Sequence, residues 1–80
     1  MRVVCVNQQQ VAGRQLCYYL LAEKQKERER YGIKIEAEDG EAESVPDVTV
    51  SAEGIRRLLD ILVRNTVTPV TLRDIIEDWL

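Results

Sequence analysis

The chain contains no histidine, and its 80 residues include only two cysteines, two prolines and four glycines. Each shortage excludes something. Without histidine the usual general base near neutral pH is missing. Two cysteines, Cys5 and Cys17, with no CxxC pair, cannot supply the four nitrogen or sulfur ligands of a structural zinc site within one chain. Sparse glycine and proline, with no low-complexity tract, exclude a disordered segment. No stretch approaches the roughly 18 apolar residues of a membrane span, and the opening RVVCV is too short for the apolar region of a secretory signal. The expectation is therefore a cytoplasmic protein with no membrane association. Positive charge is also short, with 11 basic against 14 acidic residues and a net charge of −3, so no overall field holds a polyanion and nucleic acid is an unlikely partner.

What remains, 45% hydrophobic and 31% charged residues, describes one small domain over residues 1–80 with an α+β fold. Domains at or below roughly 70–80 residues seldom bury enough apolar surface to be very stable alone, which makes self-association an expectation from length. Two segments carry helical periodicity. In residues 51–66, Ile55, Leu58, Leu59, Leu62 and Val63 lie on one stripe, with Ser51 as cap and Glu53 at the positive end of the helix dipole. In the second, Leu72, Ile75, Ile76, Trp79 and Leu80 repeat the template. Thr71 and Asp74 have the spacing of a cap with an acidic third position, and VTPV before them reads as an extended connector. Trp79 and Leu80 are expected to clamp this helix to the core.

The front of the chain reads as strands. YGIKIEAE alternates, with Tyr31, Ile33, Ile35 and Ala37 on one face and charged residues on the other, followed by the hairpin signal Asp39-Gly40. A two-residue loop sets Ile35 opposite Ser44 and stacks glutamates across the strands; a three-residue loop sets Ile35 opposite Val45 and is the favoured register. Pro46 marks a break or edge position. QLCYYLLAE is apolar on both faces, with Leu16, Tyr18 and Leu20 against Cys17, Tyr19 and Leu21, the pattern of a strand covered on both sides. RVVCV reads as a short strand joined to it through a polar NQQQVAGR loop. The expected architecture is a three- to four-stranded antiparallel sheet of hairpins, followed by a C-terminal αα hairpin packed on one face.

Each candidate site has a bland rival. Cys5 and Cys17 sit in apolar runs, where a reduced cysteine acts as a small buried hydrophobe. A DNA-reading second helix would enter its groove with Arg73 as sole cation beside Asp74, Glu77 and Asp78, and would be repelled. The acidic group Glu36, Glu38, Asp39, Glu41 and Glu43 lacks the spacing of a calcium loop and is explained by a solvent face. No acidic residue sits in the apolar surroundings a catalytic carboxyl needs, and no phosphate loop or nucleophile elbow is present. No catalytic residue, cofactor, metal or small-molecule substrate is therefore expected. EKQKERER reads as the solvated tip of a long hairpin; fully extended it shows Lys24, Lys26, Arg28 and Arg30 on one side, the alternative nucleic-acid contact. Tyr18 or Tyr19, with Leu21, is the expected partner surface, because one tyrosine must face away from the helices and tyrosine favours interfaces.

The combination of YYLL, YGI and LLDILVRNTVTPVTLRDIIEDWL resembles a family of short proteins from clostridia and related Firmicutes, known only as a domain of unknown function. The likeness runs from Gly13 to Leu80 and is densest over residues 58–80, where the RN-VTPVTL-D string falls. It implies a bacterial, cytoplasmic source and brings no activity, cofactor or catalytic residue with it. The resulting expectation is a non-enzymatic interaction or regulatory module, a homodimer or a binder of another protein.

Overall fold

A computed structural model describes residues 1–80. It runs β1 (Arg2–Val11), β2 (Arg14–Gln25), β3 (Arg28–Ala37), β4 (Ala42–Thr49), α1 (Ala52–Arg64) and α2 (Pro69–Trp79). The strands form one antiparallel meander in the spatial order β1-β2-β3-β4, leaving β1 and β4 as edges. The fold is α+β, with the two helices on one face of the sheet. There α1 lies across β2, β3 and β4, and α2 lies across β3 and β4.

Alternation decides which side chains meet the helices. Leu16, Tyr18, Ile33, Ile35 and Ala37 from the sheet form the core with Ile55, Leu58, Leu59 and Leu62 of α1, Val67, and Leu72 and Ile76 of α2. On α1 Ile55, Leu58, Leu59 and Leu62 of the apolar stripe are buried and Val63 is half-buried, and the Ser51 Oγ accepts the Gly54 N–H at 2.9 Å. The helix ends in a Schellman turn, in which Thr66 N–H reaches the Val63 carbonyl at 3.1 Å and Val67 N–H reaches that of Leu62 at 3.0 Å. Thr66 takes the left-handed position of that turn, at φ +50°.

Four expectations are corrected. The NQQQV segment is strand, so β1 runs for 10 residues; the turn is confined to Ala12 and Gly13, both at positive φ, the geometry of a tight type I′ hairpin. The polar residues hold the strand with their side chains, since Gln10 donates to Gln15 at 3.0 Å and Gln15 donates to Gln8 at 3.1 Å. Second, α2 starts at Pro69 with Thr68 as an extended cap residue that makes no side-chain bond. Proline at the first helical position, with its preset φ, begins the helix earlier than a capping box at Thr71. Third, Ile35 stands opposite Glu43, with Ile33 opposite Val45. The loop does have three residues, but they are residues 38–40, with Gly40 at φ +97° and Ala37 N–H bonded to the Glu41 carbonyl at 2.8 Å. A bulge in β4 then restores the expected offset, so Tyr31 faces Thr49. Fourth, Trp79 does not clamp α2 to the sheet. It remains 37% exposed, with its ring edge beside Gly54 at the start of α1, and Leu80 is exposed as well.

Candidate functional site

The sequence pointed to Tyr18, Tyr19 and Leu21 as a contact surface, and β2 distributes them over both faces. Tyr18 belongs to the helix face and is fully buried. Its hydroxyl donates to the Val67 carbonyl at 2.8 Å and accepts from Gln9 Nε2 at 3.1 Å, while Gln9 also donates to the Val63 carbonyl at 2.9 Å. Burial raises the pKa of that hydroxyl, partly offset by the Gln9 bond. Tyr18 is thus a pin between sheet and helix ends and is not open to a partner. Tyr19 lies on the opposite face, half-buried, with the Lys34 ammonium 5.6 Å from its ring centroid. Its pKa is raised as well, first by desolvation and then by the neighbouring Cys17. Leu21 shares that face but is only 5% exposed in the single chain. It sits in the ladder between Val3 and Gly32. A Cβ on Gly32 would lie 2.5 Å from the Val45 carbonyl oxygen, so the β4 bulge passes over this row. The reverse face therefore covers much of its own apolar surface.

The basic tip is a two-residue turn at Lys26 and Glu27 between β2 and β3. That turn reverses the parity assumed for one extended segment. Lys24 lies across from Glu29, on the helix face, whereas Arg28 lies across from Gln25 and Arg30 from Glu23, on the other. Arg30 is also ion-paired with Asp47, and Glu29 with Arg2 at 2.6 Å. The single cationic stripe of Lys24, Lys26, Arg28 and Arg30 does not form.

The acidic residues are likewise engaged. Arg14 bridges Asp39 at 3.0 Å and Glu41 at 2.9 Å, Glu43 pairs with Arg73 at 3.5 Å, and Glu38 accepts the Gln15 N–H at 3.0 Å. The Glu41 backbone N–H, then Arg14, holds the Asp39 carboxyl below its usual range. Arg73, the one cation of α2, faces Glu43 and the Ser44 carbonyl. One cysteine expectation is corrected: Cys5 is exposed, because it sits on an edge strand, while Cys17 is partly exposed on the reverse face.

What sequence reasoning missed is the border formed by β1. Val3, Val4 and Val6 are 53%, 46% and 44% exposed. An irregularity between Cys5 and Asn7 brings both Val6 and Asn7 to a groove of about 330 Å³ under α1, lined further by Leu20, Leu59, Val63, Arg56 and Asp60. Asp60 is paired with Arg64, and Arg56 has no ion-pair partner in the chain. The sequence signal was available: residues 3–13 carry no charge, the longest such run in the chain.

The two borders differ. On β4, Pro46 lacks an N–H, the bulge breaks the ladder and Asp47 stands at φ +63°; each of these devices discourages strand addition. On β1 the segment from Val3 to Val11 has no proline and no charge, and its one irregularity, between Cys5 and Asn7, leaves Asn7–Val11 in unbroken register with β2. An edge with neither proline nor charge offers backbone N–H and C=O groups to another strand, with apolar side chains on either side of it.

A family model described as "Family of unknown function (DUF6514)" matches residues 1–80. No curated protein and no solved structure matches the chain.

Proposed function

We propose, for a chain that belongs to the DUF6514 family of unknown function, that it acts as a small non-enzymatic interaction module of a bacterial cytoplasm, binding by strand addition to β1. The observation that carries this reading is the contrast between the two borders of the sheet, β4 blocked by Pro46 and its bulge and β1 open, uncharged and valine-rich from residue 3. The contact surface thereby moves from Tyr18 and Leu21, which the fold buries, to Val3, Val4 and Val6. Tyr19, partly exposed on the reverse face, flanks that strand as the cross-strand neighbour of Cys5. A non-enzymatic role is supported by the acidic residues of the β3–β4 hairpin, which serve ion pairs and turn contacts. The nucleic-acid reading loses support because its four cations divide between two faces.

A photo-crosslinking side chain at Val3, compared with one at Ala42 on β4, tests the proposal in the living host cell. Adducts are expected from Val3 and not from Ala42. Adducts from Ala42 alone, or from neither position, would remove it.

A further inference from the structure

We propose that the strand added to β1 is β1 of a second copy, paired antiparallel about a two-fold axis perpendicular to the sheet, so that two four-stranded sheets become one of eight. This rests on the strand-addition reading and names its partner. Charge selects the occupant. Each copy carries −3 overall, so two copies repel over most of their surfaces. They meet at least cost where neither is charged, which is the border formed by residues 3–11. An uncharged strand is also complementary to itself, since antiparallel self-pairing opposes no like charges along its length.

The geometry beyond the strand agrees. A two-fold perpendicular to a sheet preserves its faces, so both helical layers lie on one side and their grooves face each other across the joined strands. Val4 and Val6 of each copy then line a shared apolar valley with Leu20, Leu59 and Val63, closing surface that is open in one copy alone. The rim carries Arg56 and Asp60 on successive turns of α1. A two-fold-related rim running the other way presents those charges in reverse order, which sets the unpaired Arg56 toward an acidic partner.

The experiment uses the full chain. Light scattering after size exclusion is expected to give twice the 9.2 kDa chain mass, and Val6→Lys is expected to give a folded monomer. Mixing Val6→Lys with Val6→Glu restores the dimer, because the two substituted positions approach across the new strand pair. As a check that needs no variant, a mixture of isotope-labelled and unlabelled wild-type chains should show intermolecular proton contacts along β1. A wild-type chain that is monomeric at about 100 µM overturns the second-copy inference. Val3 crosslinks to a different protein would in that case leave strand addition standing. A dimer with no intermolecular contacts along β1, or one that Val6→Lys leaves intact, overturns the inference by placing the interface elsewhere.

Discussion

Tyr18 is the residue through which the two layers are tied together. Its ring fills the core, and its hydroxyl satisfies the Val67 carbonyl just past the end of α1. Tyr18→Phe leaves that carbonyl and one Gln9 proton without their partner, and is expected to cost about 1–3 kcal/mol in urea unfolding. The same substitution should change the alkaline limb of stability. The folded-state pKa is raised by burial, so the protein–proton linkage is fully present below the unfolded tyrosine value of about 10. Above it the unfolded state ionises first, and stability falls as pH rises through the folded value. Wild type minus Tyr18→Phe should therefore decline above about pH 10 and stay flat below it; a flat difference throughout would show that the hydroxyl is not buried. Thr66 makes a second test at this scale. A β-branched side chain at φ +50° is strained where glycine is not, so Thr66→Gly should gain about 0.5–1 kcal/mol, and a loss would mean the turn is held by the Thr66 side chain.

Among the elements, the helices were legible and the borders of the sheet were not. Ile55, Leu58, Leu59 and Leu62 announce α1 because burial on one stripe repeats with the helix itself. The Asp39-Gly40 signal located the β3–β4 turn, but the pairing offset depended on the β4 bulge, where the step from Tyr31 to Ile33 on β3 is matched by the longer step from Thr49 to Val45 on β4. Nothing local in YGIK shows that the glycine is there to let another strand's backbone pass. Gly32→Ala would put a Cβ 2.5 Å from the Val45 oxygen and 2.6 Å from the Pro46 Cα. It is expected to cost about 1–3 kcal/mol and to disturb β4 resonances before those of β1; equal stability would show that the bulge yields freely. Only half of β1 is legible in the sequence, because Gln8, Gln9 and Gln10 lack apolar alternation. Their strand is held by side-chain bonds to β2 and α1 that only the folded chain brings into reach. The expected contact residues failed on parity of a different kind: Tyr18 and Tyr19 were correctly split between faces, but which face would be left open depended on how the bulge and Lys34 cover the reverse side.

For the whole molecule, shape follows from unequal lengths. The body measures 42 × 23 × 17 Å, and at one end β2 and β3 continue past the first β1 pair, Arg2 with Ala22, as a two-stranded ribbon ending at Lys26. A two-stranded ribbon without a third strand or a helix against it is marginally held. Limited trypsin digestion should therefore cut first among Lys24, Lys26, Arg28 and Arg30, and the nicked halves should elute together, since β2–β3 pairing and the shared core lie beyond the cut. First cleavage at Arg56 or Arg64 in α1 would contradict this arrangement. The α+β architecture, with both helices on one face, followed from periodicity, whereas which face of β2 they cover and the open border of β1 emerge only from the folded chain.

That contrast between borders sets a valence. A sheet that can be extended along one margin only has a single bond to give, and once it is given nothing remains from which to grow. On the proposed strand addition such a domain would complete or terminate an assembly of strands without propagating one, and the hump at Pro46 and Asp47 would be what stops the chain of sheets from growing into a fibre.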